Sequence, residues 1–322
     1  MVKKPVSTVM LIILLASQAL AACGPKEAVT PAAPTAIKLA LLPTLDVLPM
    51  VVAQQEGLYT QYNLAVEIIP VASAPERDQL IAAGQADAIM NELTSVMFLN
   101  QEKIQVQAVR YARTATVDQA LFSIMAGQHA GIIDVQDLKG ASIGISQATI
   151  IEYLTDRLLT AEGFNPADMN FVAVPKIPDR MSLLSSGELK AATLPEPFVT
   201  LAKQAGAVVA LDDTVHPEFS YSVITFSKAF INANPAAVTA FLTAVEDAVE
   251  LINKNPQKYA ATMVDQKMVP APLAETFTVP TYPTKGVPSE AQFSDVLEWV
   301  KTKGYLSVDL NYEDNVNGSL LP

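Results

Sequence analysis

Residues Asp137–Pro175 read DLKGASIGISQATIIEYLTDRLLTAEGFNPADMNFVAVP, and with their flanks from Asp134 to Pro197 they hold one strand–helix–strand unit and most of a second. Ala141–Ile145 is a short apolar run of the kind a buried parallel strand needs, and it breaks into Ser146, Gln147, Ala148 and Thr149, small residues suited to opening a helix. Ile151, Leu154 and Leu158 then recur at helical spacing, Gly163 ends the helix, and Phe171–Val174 reads as the next strand. A loop at the carboxyl end of a parallel strand that feeds a helix leaves backbone N–H groups pointing outward, so this stretch is expected to hold a ligand.

Working outward, the same alternation repeats. Ile37, Leu39 and Leu41 form a first strand, followed by a loop at Pro43–Asp46 and a helix from about Leu48. Leu64, Val66 and Ile68 make a second strand, Ser73–Gly84 a helix, and ADAIMNELTSV a third strand running into a loop at Asn91–Ser95. Ile104, Val106 and Ala108 begin another strand. Leu189–Leu194 is a strand halted by Pro195, Glu196 and Pro197, and Val223–Phe226 returns to the first half of the fold. Asn234 and Pro235 open a helix with Val238, Phe241, Leu242, Val245, Val249 and Ile252 on one face; Asn255 and Pro256 open another, and Ser289–Lys303 is the last. Such alternation predicts an α/β chain with two lobes, each a mostly parallel sheet flanked by helices. Residues 36–116 and 220–322 would form lobe 1, and residues 117–219 lobe 2.

The chain has 322 residues, half of them apolar and 17% charged, enough for two cores. Its net charge of −12 argues against nucleic acid as a partner and against direct adhesion to an anionic membrane surface. Lys3 and Lys4, the apolar run Val9–Leu15 and the small residues before Cys23 have the order of a secretory leader. Leu20, Ala21, Ala22 and Cys23 resemble a bacterial lipobox, which implies removal of residues 1–22 and a lipid on the Cys23 sulfur. The mature chain would then carry −14, from 33 acidic and 19 basic residues. Residues 23–35 read as the lipidated cysteine and an extended, proline-rich tether.

The phrases EGLYTQYNLAVEI, AAGQADAIM, DLKGASIGIS, LLTAEGFNPADMNFVAV, LLSSGELKAATLPEPF and QAGAVV, in this order, resemble the solute-binding proteins of bacterial ABC importers. The resemblance is to the group serving alkanesulfonates, nitrate, thiamin pyrimidine precursors and riboflavin, and most of all to the riboflavin-binding lipoproteins. It implies a periplasmic-binding-protein type II clamp that captures a small-molecule solute and hands it to a membrane permease. The protein is then expected to be a monomer, lipid-anchored on the outer face of the cell membrane, with no cofactor and no metal. A fungal relative is an enzyme of thiamin pyrimidine synthesis with a histidine, an iron site and a cysteine cluster. Here Cys23 lies in the leader and His129 and His216 stand apart, so catalysis is not expected. A tethered sensor would carry the same sequence features.

In a two-lobed clamp the solute meets the strand-end loops, here Thr44–Asp46, Asn91–Ser95, Ser146–Thr149 and Pro195–Pro197. They contain Asp46, Glu92 and Glu196 and no lysine or arginine, which disfavours a sulfonate or nitrate. Asp46, Asn91, Glu92, Ser146, Thr149 and Glu196 are the candidate ligand residues there, although Asp46, Ser146 and Thr149 are equally suited to capping their own helices. Tyr111 and Tyr221, near the two passages between lobes, could stack on a flat ring or pack a hinge, with Phe219 beside them. Arg113 is expected to pair with a carboxylate, and Trp299 to be structural. These residues favour a flat, donor-rich heterocycle, and the resemblance selects riboflavin from that class, with a thiamin pyrimidine precursor or an alkanesulfonate as alternatives. The anchoring expectation is tested by Cys23→Ser, which should release the protein from sedimented membranes while solute binding persists.

Overall fold

Alternating strand and helix propensity resolves, among the described residues, into ten strands in two sheets. The computed structural model describes residue 1 and residues 33–322. The leader, Cys23 and almost all of the tether lie outside the described residues. Pro34–Pro322 is one compact unit.

The first sheet opens with β1 (Thr35–Leu41), α1 (Leu48–Gln55), α2 (Leu58–Gln61) and β2 (Leu64–Pro70). It continues through α3 (Ala74–Ala82), β3 (Ala88–Asn91), α4 (Leu93–Asn100) and β4 (Val106–Thr114). The chain then builds a second sheet from β5 (Phe122–Ala126), β6 (Ser142–Ile145), α5 (Ile150–Ala161), β7 (Asn170–Ala173) and α6 (Ile177–Ser186). β8 (Ala191–Pro195), α7 (Phe198–Gln204) and β9 (Val208–Asp212) complete it. β10 (Tyr221–Ser227) returns to the first sheet, and the remaining chain carries α8 (Lys228–Ala233), α9 (Pro235–Lys254), α10 (Ala260–Asp265), α11 (Glu290–Thr302) and α12 (Tyr312–Asn315), with a largely irregular stretch between α10 and α11.

The sheet orders are β2-β1-β3-β10-β4 and β7-β6-β8-β5-β9. β10 pairs antiparallel with both β3 and β4, and β5 with both β8 and β9, while the other pairs are parallel. Four strands of each sheet therefore point one way and one runs against them, so the mostly parallel, helix-flanked α/β architecture is present in both. β5 and β9 are missing from the sequence reading. FSIMA and VVALD are short runs without polar alternation: β5 is an almost wholly buried inner strand, and β9 is a half-exposed edge strand of only five residues.

The two sheets are joined by a ribbon. The Ala115 N–H donates to the Ser220 carbonyl at 2.9 Å, so the two crossing segments stay paired after leaving the first sheet. At the other end the Asp213 N–H donates to the Phe122 carbonyl at 3.2 Å. The Asp213 carboxylate is fully enclosed and accepts from the N–H groups of Leu121 at 3.0 Å and Phe122 at 2.9 Å.

The core beneath the first sheet explains why α9 forms. Val238, Phe241, Leu242, Val245, Val249 and Ile252 follow the helical period and all are fully buried. Phe241 stacks on Tyr59 of α2 with ring centroids 5.2 Å apart. Asn255 and Pro256 open only a short 3-10 turn, Pro256–Tyr259, before α10 begins. α11 bridges the two halves: Phe293, Val296, Trp299 and Val300 share one apolar cluster with α4 and with α5. Asp295 of α11 accepts from the Tyr153 hydroxyl of α5 at 2.6 Å and pairs with Arg157 at 3.0 Å.

Burial pushes the Asp213 carboxyl up to about 6, against the pull of its backbone donors. Between pH of about 4, where an unfolded aspartate titrates, and about 6, the folded chain holds a proton that the unfolded chain has released. Asp213 therefore supports folding at the acid end of that window, and its contribution falls as pH rises through it. Urea unfolding of wild type and Asp213→Asn should show the difference between them moving against wild type by about 1–3 kcal/mol over that window.

Candidate functional site

Four of the helices that follow strands start at the carboxyl ends of central strands, and each start carries a carboxylate. In the first sheet these are Asp46, in the 3-10 turn Leu45–Val47 that leads into α1, and Glu92, the residue before α4. In the second they are Glu152, in the first turn of α5, and Glu196, beside the start of α7. The loops of the second sheet reach elements of the first. Leu201 of α7 packs against the core built on α1 and α9. The Gln147 side chain meets the Tyr305 hydroxyl at 3.2 Å, and the Tyr305 ring lies edge-on to Phe98 of α4.

Asp46 caps neither its turn nor α1. Its Oδ1 accepts from the Ser222 hydroxyl at 2.6 Å, which turns the carboxylate toward the start of β10. Glu92 is met by Arg77, an α3 residue that the sequence reading did not single out. The buried Arg77 guanidinium donates to Glu92 at 3.3 Å, to Asp78 at 2.8 Å and to the Met90 carbonyl at 3.0 Å. Burial raises the Glu92 pKa, and Arg77 draws it back down. The count of basic residues within the loops therefore understated the positive charge, which arrives from a neighbouring helix.

Asn91 is corrected by the structure. It closes β3, is fully enclosed, and uses its amide on Ser95 at 3.0 Å and Thr225 at 2.6 Å. Helix α4 starts at Leu93, so the expected loop Asn91–Ser95 shrinks to Glu92, and Asn91 locks β3 to β10.

The outward-pointing donors expected at Ser146–Thr149 are also corrected. The Thr149 hydroxyl caps the Ile151 N–H at 3.2 Å and donates to the Ser146 carbonyl at 2.7 Å. Glu152 reaches back to the Ala148 N–H at 2.7 Å and is held in turn by the Tyr305 hydroxyl at 2.9 Å. A helix N-terminus is where an external anion would dock, and here the chain's own carboxylate is in that place. The pattern Thr149-x-x-Glu152 is a capping-box spacing that the sequence displayed. Glu196 behaves alike, accepting from the Thr200 N–H at 3.2 Å and hydroxyl at 2.8 Å.

The aromatic candidates are hinge packing. Tyr111 donates its hydroxyl to Gln292 of α11 at 2.7 Å and sets its ring 5.6 Å from that of Tyr221, edge to face. Burial pushes the Tyr111 hydroxyl up to about 12. Tyr221 is buried in the cluster that joins the two halves and keeps no free ring face, which corrects it as a stacking platform. Phe219 lies edge-on to Tyr153, and Trp299 is buried beside the same ring. Arg113, expected to pair with a carboxylate, makes no ion pair among the described residues, and its enclosed Nε has no partner there. Among the described residues no group of His, Cys, Asp and Glu could hold a metal ion.

Two mixed sheets joined by a ribbon, with strand-end edges that meet, define a clamp of the periplasmic-binding-protein type. Residues 44–259 match the NMT1/THI5-like family, and the chain belongs to it. The fold is similar to the periplasmic aliphatic sulphonate-binding protein SsuA from Escherichia coli, with TM-score 0.74 and 16% identity over 88% of this chain and 92% of that one. It is also similar to the nitrate-binding protein NrtA from Synechocystis PCC 6803, with TM-score 0.67 and 15% identity over 89% and 87%. A Haemophilus influenzae protein whose description places it in thiamine biosynthesis is 25% identical over 228 residues, 68% of each chain.

Arg77 is the cation that offsets the burial of Glu92 and the nearby charges of Asp78 and Asp46. Arg77→Met should lower stability by about 3–5 kcal/mol, the range for breaking a buried pair, measured by urea unfolding at neutral pH.

Proposed function

We propose that the protein is the solute receptor of an ABC importer, tethered through Cys23 on the outer face of the membrane, and that it captures a small, net-neutral heterocycle rich in hydrogen-bond donors. The observation that carries this reading is the carboxylate at each of the four strand-end helix starts: Asp46, Glu92, Glu152 and Glu196. An anion placed there would face these acceptors, and two of them, Glu152 and Glu196, already occupy N–H donors at their helix starts. Nitrate or a simple sulfonate would lose more in desolvation and repulsion than the remaining donors return. Glu92 and Glu152 are balanced, by Arg77 and by Tyr305 with Lys303. Asp46 and Glu196 have only hydroxyl and N–H donors, so a solute bearing amino, ring N–H or hydroxyl groups completes them.

Within that class a thiamin pyrimidine precursor fits better than riboflavin. The isoalloxazine ring of riboflavin needs an open aromatic face, and Tyr111 and Tyr221 are turned on each other. A single aminopyrimidine ring presents donors and acceptors along its edge and requires no stacking platform, and family membership accords with it. Riboflavin remains the second reading on the strength of the sequence phrases.

The test is a thermal-shift panel on the purified chain with the hydroxymethyl aminopyrimidine precursor of thiamin, riboflavin, taurine and nitrate. A bound solute at a hundredfold excess over its Kd stabilises by about 2.7 kcal/mol. The pyrimidine should shift the transition and nitrate should not. A shift with nitrate or taurine alone would overturn the heterocycle reading.

A further inference from the structure

The chain has five arginines, and four of them are engaged. Arg77 meets Asp78 and Glu92, Arg110 meets Glu246 at 2.8 Å, Arg157 meets Asp295, and Arg180 donates to the Val174 carbonyl at 2.8 Å. Arg113 differs. It is 3% exposed and, among the described residues, makes no ion pair and no side-chain hydrogen bond, with its Nε enclosed. The Nε of Arg180 is enclosed too, but its guanidinium keeps the Val174 carbonyl. Burying a cation without a partner destabilises the fold unless something outside the chain completes it.

Its surroundings are those of the candidate site. Arg113 is the next-to-last residue of β4, at the same sheet edge as Asp46 and Glu92, and its cross-strand partner is Ser222, the residue that holds Asp46. The turn carrying Asp46 packs on β4. Tyr282, whose hydroxyl donates to the Leu45 carbonyl at 2.7 Å, feels the charges of both Arg113 and Asp46. The two opposite charges are near neighbours and do not pair, because Asp46 is drawn to Ser222. In the same loop the Thr44 hydroxyl is also enclosed without a partner. An unpartnered guanidinium and an unpartnered hydroxyl, beside a carboxylate without a cation, leave donor and acceptor capacity open at one place.

We propose that Arg113 is the specificity-determining residue of this site, receiving an acceptor oxygen or nitrogen of the solute while Asp46 receives a donor from the same molecule. This rests on the solute-receptor reading and narrows it to a net-neutral solute with a donor and an acceptor side by side. A bare anion meets Asp46, a bare cation meets Arg113, and each is rejected by the group that the other charge needs.

The experiment uses Arg113→Met and Asp46→Asn, each measured for melting temperature without solute and for affinity toward the hydroxymethyl aminopyrimidine, riboflavin, taurine and ethanesulfonate. Removing an unpaired buried charge should leave the melting temperature of Arg113→Met at or above that of wild type. Its affinity for the solute that wild type binds should fall at least about tenfold, the order of one hydrogen bond to a charged group. Asp46→Asn should keep its fold and gain affinity for ethanesulfonate relative to wild type, since the group that rejects anions is gone. A lower melting temperature for Arg113→Met with solute affinity unchanged makes Arg113 structural and overturns the inference. Affinity for taurine that depends on Arg113 would sink the heterocycle reading and uphold this one. If no solute in the panel shifts wild type, the receptor reading fails for this panel, and a melting temperature of Arg113→Met below wild type overturns the role of Arg113 as well.

Discussion

Both sheets depend on the antiparallel pairing of the two segments that pass between them. β4 and β10 lie side by side in the first sheet, β5 and β9 lie side by side in the second, and the crossings stay hydrogen-bonded at each end. Because the backbone groups in a ribbon of this kind are already paired, the ends can bend without exposing unsatisfied donors. The inserted strand in each sheet, β10 or β5, is the cost of making the passage twice. Asp213 fixes the ribbon to the second sheet by holding two consecutive N–H groups, which is why a carboxylate is tolerated with no exposure at all.

The same topology places chemistry at one edge. With four strands of each sheet pointing one way, every following helix begins at the carboxyl edge with its N–H groups toward the other half. A bare set of such helix starts would make an anion receptor. This chain puts its own carboxylates there, and the local field is set by how each one is balanced: Arg77 for Glu92, Tyr305 and Lys303 for Glu152, hydroxyls for Asp46 and Glu196.

α11 adds a second tie between the halves. Its apolar face shares a cluster with α4 and α5, and its polar face holds Tyr111 through Gln292 and Tyr153 through Asp295. Aromatic residues near the crossings are consumed in that packing. α11 is therefore bound to both halves by apolar packing and by hydrogen bonds.

The sequence by itself determined the alternation of strands and helices, the apolar face of α9, the extent of α11 from about Ser289, and the presence of carboxylates in the strand-end loops. These are legible because they rest on period, propensity and adjacency along the chain. It left out β5 and β9, five-residue apolar runs too short to show a period, whose identity comes from pairing with distant strands. Only the tertiary structure decided which carboxylates are balanced and by what, since Arg77 reaches Glu92 across 15 positions and Ser222 reaches Asp46 across 176. It withdrew Asn91 and Tyr221 by burying them, and the Ser146–Thr149 donors through local caps from Thr149 and Glu152 whose spacing the sequence already displayed. It left Arg113 without a partner among the described residues: a side chain's partner is chosen by the fold of distant segments, and a local reading sees only the charge that needs it.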